Sequence, residues 1–321
     1  MIRILAIACA ALCAFSVPAG AQQVVAIGVT QAGSLLYAGG AGIVKVMEKL
    51  NLQGRLQPFA GSSTYAPMLD RNELDFGLIN VDDAMTAFRG IDNFDGKPNP
   101  HLRIVCVLFP LPFGALVPAD SPVKTIRDLK GVKMPSQYVG MSTARKLQDA
   151  VLATADLSTA DMQGIPVANL FQGIDAMAAG RTDAAMIGPG TGQVQIAHTT
   201  LSSRGGVRYL SIEDTPESRA KLRTVMAGRI FEQQPAKHLP GIVGPTKLMA
   251  YSMFFMTNDK ANPEMVYKLA KEMHDNKALM AEAHPVMAGF NPDRMTENSD
   301  TPFHDGAIRF YREIGQWPPK D

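Results

Sequence analysis

Residues 102–117 read LRIVCVLFPLPFGALV, a long apolar stretch that is interrupted by Pro110 and Pro112. A second apolar run, LMAYSMFFMT, occupies residues 248–257. A strand that leaves one sheet and enters another is buried along its whole length and has this composition. Two such crossovers predict a discontinuous arrangement of two lobes. The first lobe comprises residues 22–112 together with 247–321, and the second comprises residues 113–246.

Strand and helix patterns alternate on both sides of the first crossover. Residues 24–29 (VVAIGV) form a β-branched run, and after a glycine turn the apolar residues between positions 43 and 50 follow helical spacing. The same pattern returns over residues 54–80. Alternation of this kind is typical of βαβ units and a mainly parallel sheet, which is the α/β class. Ligands of such sheets bind beyond the carboxyl ends of the strands, so we expect a cleft between the lobes.

Composition narrows the possible partners. The chain has 321 residues with 46% hydrophobic and 19% charged residues, which is the profile of a folded globular protein. Its 31 basic and 30 acidic residues give a net charge of +1. That balance provides no basic surface for nucleic acid or an anionic membrane, so neither is expected as a partner.

The first 21 residues have the layout of a cleavable secretory signal. Arg3 precedes an uncharged apolar run, and the small-residue triplet Ala19-Gly20-Ala21 closes the segment. The run is too short for a permanent anchor, and no later segment approaches roughly 18 apolar residues, so stable membrane insertion is not expected. Of the three cysteines, only Cys106 remains after cleavage, which predicts a protein without an internal disulfide. The alternative is an uncleaved amphipathic start.

Three turns share the character of an anion site. Residues 33–34 (GS), 61–64 (GSST) and 140–143 (GMST) combine glycine with hydroxyl side chains where helices are predicted to begin. Helix N-termini offer unpaired N–H groups and a positive dipole end, which suit a carboxylate or a phosphate. Ordinary N-caps have the same composition, so both interpretations remain open at each turn.

Signals for catalysis are weak. Residues 188–192 (GPGTG) lack the last glycine of a dinucleotide fingerprint, because Gln193 occupies that position, and they lack the lysine of a phosphate-binding loop. The six histidines show no metal-binding spacing, and residues 140–144 resemble a nucleophile elbow without a defensible triad. Most of the eighteen methionines fall at helical core spacing. We therefore expect no enzyme, no cofactor and no metal.

Five blocks of sequence resemble one known family. They are AGSLLYAGG (residues 32–40), FAGS (59–62) followed by NELDFGLIN (72–80), DLKG (128–131), AMAAGRTDAAM (176–186) and HDGAIRFYRE (304–313). In combination they are similar to the TAXI-type substrate-binding proteins of tripartite ATP-independent periplasmic (TRAP) transporters. The resemblance implies a type II periplasmic binding protein, with two α/β lobes joined by crossing hinge strands. It also implies a periplasmic, monomeric receptor that hands a small organic acid to an ion-driven membrane permease.

The sequence departs from that family where ligand contact is expected. Leu35 and Leu36 replace a pair of tyrosines, with Tyr37 one position later, and Phe59 replaces a threonine. These changes remove hydroxyls and add apolar surface. We therefore expect a carboxylate that is less polar than the glutamate or 2-oxoglutarate bound by family members.

The resemblance and the hydroxyl-rich turns together predict a site contributed by both lobes. Ser34, Ser62 and Ser63 are expected to hold the carboxylate, and Arg145 could add a cation, although a solvated helix face is favoured for it. Two other functions remain open, a receptor for a tricarboxylate-type or ABC transporter and an exported bilobed enzyme. The remaining predicted contacts are Leu35, Tyr37 and Asn80 on the first lobe and Gln137, Ser142, Thr143, Gly190 and Thr191 on the second.

Overall fold

A computed structural model describes residues 22–139, 141 and 143–319. The predicted signal segment and Ser142 lie outside the described residues. The strands are β1 (Gln23–Thr30), β2 (Leu52–Phe59), β3 (Phe76–Asn80), β4 (Leu102–Pro118), β5 (Lys133–Gln137), β6 (Gln163–Val167), β7 (Ala185–Ile187), β8 (Val207–Tyr209), β9 (Arg229–Gln233) and β10 (Thr246–Asn258). The α-helices are α1 (Leu35–Glu48), α2 (Ser62–Asp70), α3 (Val81–Arg89), α4 (Thr143–Ala153), α5 (Leu170–Ala178), α6 (Gly192–Thr200), α7 (Pro216–Val225), α8 (Pro263–Asp275), α9 (Lys277–Ala283) and α10 (Asp305–Glu313).

The larger sheet follows the order β2-β1-β3-β10-β4-β7, with β8 also pairing with β4 and β9 with β10. Strand β1 lies parallel to both β2 and β3, as the alternation of strands and helices predicts. Strand β10 is antiparallel to β3 and β4. Strands β5 and β6 form a separate parallel pair. The predicted α/β class is confirmed, with both parallel and antiparallel pairing in the larger sheet.

The two apolar runs of the sequence are the long strands β4 and β10, and they pair with each other. Residues 102–113 of β4 pair with β10, whereas residues 114–118 pair with β7 and β8. The ladder is irregular around Phe254, in a region where Pro110 lacks the N–H that a regular ladder requires. Both strands therefore connect the two halves of the molecule. We retain residues 112 and 247 as proposed lobe boundaries.

The core is continuous with the crossing strands. Cys106 of β4 is fully buried, and Met47, Met177 and Met273 are fully buried in their helices, as expected for methionines that fill a core. Residues 125–131 form only a 3₁₀ turn over Arg127–Leu129, because the Asp128 carboxylate binds the N–H groups that precede the turn and Gly131 ends it at a φ of 75°.

Within the part of the chain that the structure describes, no helix has both the length and the apolar character needed to cross a membrane. The same residues contain no group of three or more histidine, cysteine or acidic side chains arranged to hold a metal ion.

Candidate functional site

A cavity of about 60 Å³ lies where helices from both lobes approach the crossing strands. Most of its wall is apolar, and its polar lining consists of hydroxyls and one amide. No lysine, arginine or histidine is among the described lining residues. The wall is formed by Thr30, Ser34, Leu35, Leu36, Ser62, Asn80, Leu111, Phe113, Met141, Leu147, Leu170, Phe171, Ile187, Gly188, Thr191, Tyr251 and Met253.

The start of α1 presents hydrogen-bond donors to this cavity. Ser34 is the N-cap, and its Oγ accepts the N–H of Tyr37 at 3.0 Å and the hydroxyl of Thr30 at 2.7 Å. Because Oγ already accepts two bonds, its own proton remains to be donated, and no described residue accepts it. The N–H groups of Leu35 and Leu36 lie in the first turn, where a helix has no internal acceptors. They add two further donors beside the cavity.

Beside Ser34, the hydroxyl-rich turn at α2 already binds a carboxylate of the protein itself. Asp83, in the first turn of α3, is fully buried. Its Oδ2 accepts hydrogen bonds from the Ser62 hydroxyl and from Asn80 Nδ2, the latter at 2.9 Å. Its Oδ1 accepts the Thr143 hydroxyl at 2.5 Å. Burial raises the pKa of Asp83, and the bonds from Ser62, Thr143 and Asn80 oppose that shift.

A second contact fastens α4 to α3. Lys146 Nζ lies 2.7 Å from Asp82 Oδ1 and 3.0 Å from Asp92 Oδ2. The Asp82 side chain is only 2% exposed, whereas that of Asp92 is half exposed. Burial raises the pKa of Asp82, and the Lys146 ammonium offsets only part of the effect. Helix α4 of the second lobe is thus held to α3 of the first by a hydrogen bond to Asp83 and an ion pair to Asp82.

Tyr251 is a cavity residue that the sequence analysis did not select. It belongs to β10, is 6% exposed and lines the cavity. Its hydroxyl has no hydrogen-bond partner among the described residues. Burial and then the charge of Asp83 raise the pKa of this hydroxyl, so it is a proton donor at neutral pH. The only sequence signal was a tyrosine within an otherwise apolar crossover run.

The predicted contacts are only partly brought together by the fold. Ser34, Leu35, Ser62, Asn80 and Thr191 line the cavity, and Thr191 also caps α6. Thr143 reaches Asp83 rather than the cavity wall. A neighbouring groove is lined by Gly190, whereas Tyr37, Ser63 and Gln137 line neither the cavity nor that groove. Arg145 has a 66% exposed side chain near Asp149, as a solvated helix face predicts.

Two α/β halves, joined by two long strands around a cavity, define the fold of bilobed periplasmic solute-binding proteins. Three solved structures share it. They are a periplasmic transporter (13% identity, TM-score 0.56, 93% of this chain and 94% of that one), PhnD1 from Prochlorococcus marinus (MIT 9301) in complex with methylphosphonate (9%, 0.55, 92% and 99%) and a TctC solute-binding protein from Polaromonas (14%, 0.51, 85% and 91%). At these identities the similarity concerns the fold alone.

The chain belongs to the NMT1-like family, whose model matches residues 27–315. Its family and fold are those of transport-related binding proteins and not of enzymes. The predicted fold class is therefore confirmed in its finer form, a two-lobed periplasmic binding protein.

Proposed function

We propose that the protein is an exported, monomeric solute receptor that binds a small organic acid less polar than glutamate and delivers it to a TRAP-type permease. One observation carries this proposal. The cavity wall is mostly apolar, and the hydroxyl protons of three of its described residues, Ser34, Thr191 and Tyr251, have no acceptor within the described chain and can be donated to a ligand. An apolar body with one carboxylate complements that surface.

The donors lie where a carboxylate can be held without a cation. Ser34 and the N–H groups of Leu35 and Leu36 belong to the positive end of the α1 dipole, which stabilises a negative charge. Tyr251 adds the hydroxyl of a side chain that lines the cavity. Hydrogen bonds to a charged acceptor are worth about 1.5–3 kcal/mol each, so a few neutral donors suffice for binding.

The cavity volume limits the size of the ligand. One water molecule requires roughly 10–15 Å³ of such cavity volume, so the cavity holds the equivalent of about four to six waters. An acid of about four to six heavy atoms therefore fits the cavity in this structure. Longer acids require movement of the lobes about β4 and β10.

Delivery to a TRAP-type permease is supported by the sequence resemblance to the TAXI receptors. A TRAP permease is driven by an ion gradient, whereas an ABC transporter consumes ATP. Uptake of the bound acid by cells that express the protein should therefore collapse with an ionophore and persist when ATP is depleted. The opposite pattern would assign the receptor to an ABC transporter.

Ligand binding is tested with residues 22–321 by thermal shift and then by calorimetry. The probes are straight-chain, branched and aromatic monocarboxylates, with glutamate and 2-oxoglutarate for comparison. A ligand at 100 times its dissociation constant adds about 2.7 kcal/mol of stability. We expect the apolar acids to raise the melting temperature most. If glutamate gives the largest shift, the proposed specificity is wrong, and if no carboxylate gives a shift, the organic-acid receptor is rejected.

Tyr251→Phe tests whether the acid occupies this cavity. Loss of one charged hydrogen bond should weaken binding about 10- to 100-fold. Tyr209→Phe is the matched control, because the Tyr209 hydroxyl is also buried and has no partner within the described residues, yet Tyr209 does not line the cavity. Equal effects of the two substitutions would place the ligand elsewhere.

A further inference from the structure

We infer that Asp83 determines specificity by taking the place of a second ligand carboxylate, so that the cavity accepts monocarboxylates and rejects dicarboxylates of the same length. This inference rests on the proposed function and adds to it the charge that the ligand must carry. It follows from the hydrogen bonds around Asp83 and from the charges beside the cavity.

The donors at the α2 end of the cavity are already engaged. Asn80 Nδ2 donates to both Ser62 Oγ and Asp83 Oδ2, and Asn80 Oδ1 accepts the Asp83 N–H. The Ser62 proton is donated to Asp83. Ser62 lines the cavity but has no donor left for a ligand, and Asn80 Nδ2, also in the wall, is already shared between Ser62 and Asp83. From the second lobe, Thr143 at the start of α4 is directed to the same carboxylate.

Asp83 also makes this end of the cavity electrically negative. With their carboxyls ionised, Asp82, Asp83 and Asp92 contribute three negative charges and Lys146 contributes one positive charge, so the four side chains sum to −2. No described lining residue contributes a cation. The effect of this charge reaches the cavity wall, because Asp83 raises the pKa of Tyr251 beyond the effect of burial alone.

The distances set the expected discrimination. A ligand carboxylate in contact with Ser62 or Asn80 would lie about two hydrogen-bond lengths, or roughly 6 Å, from the Asp83 carboxylate. At about that distance and an effective dielectric constant of about 20, repulsion between two unit charges weakens binding roughly 100-fold. The far end of a monocarboxylate carries no charge and escapes this repulsion.

The test uses matched probes of equal chain length with residues 22–321 at about pH 7.5, where all the acids are ionised. Each straight-chain monocarboxylate is compared by calorimetry with the dicarboxylate of the same length and with the monoamide of that dicarboxylate. The monoamide has the size of the dicarboxylate but only one charge. We expect the dicarboxylate to bind at least 10-fold more weakly than the monoamide. If both are rejected equally, size or polarity sets the specificity and the inference fails.

Two variants identify the source of the charge. Asp83→Asn should reduce the ratio of the dicarboxylate and monoamide dissociation constants at least 5-fold. This change is about 1 kcal/mol at about 1.4 kcal/mol per factor of ten. Asp82→Asn is the control, because Asp82 pairs with Lys146, whereas Asp83 binds the lining residues Ser62 and Asn80, and the difference in affinity should persist. Because the wild-type comparison requires no variant, the predicted discrimination against dicarboxylates can be refuted even if Asp83→Asn fails to fold.

The outcomes separate this inference from the proposed function. If monocarboxylates and dicarboxylates bind equally well, the organic-acid receptor stands and the role of Asp83 is refuted. If no acid of either kind binds, the proposed function itself is refuted, and the inference is refuted with it.

Discussion

Substitution of Lys146 by methionine should destabilise the protein through an unpaired buried acid. Lys146 is the cation that pairs with Asp82, whose side chain is 2% exposed. Removing one partner of a buried pair costs about 3–5 kcal/mol. The Lys146 side chain is itself 26% exposed, so water recovers part of the loss, and we expect about 2–3 kcal/mol. Asp92 contributes little because it is half exposed and becomes solvated.

A double-mutant cycle distinguishes this ion pair from simple loss of packing. In Lys146→Met the Asp82 carboxylate is left without its partner, and adding Asp82→Asn removes that charge. The loss of unfolding free energy in the double variant should therefore be at least about 1 kcal/mol smaller than the sum of the two single losses. The assay is urea denaturation followed by far-UV circular dichroism. Lys221→Met is the control, since Lys221 pairs with two acids whose side chains are exposed, and it should have no measurable effect. Additive single effects, or a stable Lys146→Met, would refute the reasoning.

Three further predictions concern other parts of the fold. Gly90→Ala should destabilise the protein by at least about 2 kcal/mol more than Gly96→Ala in thermal denaturation. Both glycines have a positive φ, but only at Gly90 would a new Cβ lie 2.3 Å from Pro98 N. Equal losses of stability would contradict this. Cys106 should not react with a thiol reagent in the native protein and should give one thiol per mature chain after unfolding, because burial raises its pKa; native reactivity would contradict its burial. Burial lowers the pKa of His304, so below about pH 6.5 this histidine is protonated in the unfolded chain but not in the folded chain. The free energy of unfolding should therefore fall by up to about 1.4 kcal/mol for each unit by which the pH is lowered. His304→Asn, which keeps a helix-capping side chain, should show a shallower fall in urea denaturation, and equal slopes would exclude His304 as the cause.

Much of the fold could be predicted because it depends on local patterns. The apolar runs at residues 102–117 and 248–257 predicted long buried strands, and the structure pairs them as β4 and β10. Ser34 could be recognised at a helix start because an N-cap requires a small side chain with a hydroxyl or carbonyl oxygen. The start of α2 was also predicted, although its N-cap is Gly61 and no side chain caps the helix.

The site could be predicted only in part because it depends on contacts between distant residues. Asp83 follows β3 in the first turn of a helix, where an acid is ordinarily solvated and interacts with the helix dipole. Its burial depends on Thr143, which lies 60 residues later in the chain. Tyr251 lies in a strand buried on both faces, so no alternation of polar and apolar residues shows which side chains reach the cavity. The positive φ of Gln137 likewise has no sequence signature.

The position of β10 in the larger sheet has a consequence for how the chain folds. Strand β10 lies between β3 and β4, and Thr257 donates a hydrogen bond to the Asp75 carbonyl across 182 residues of sequence. A chain truncated before residue 246 would leave β3 and β4 with open edges on either side of a gap one strand wide. Formation of these pairs must close loops of well over a hundred residues, which makes folding slow. The sheet is therefore completed only after most of the chain has been synthesised.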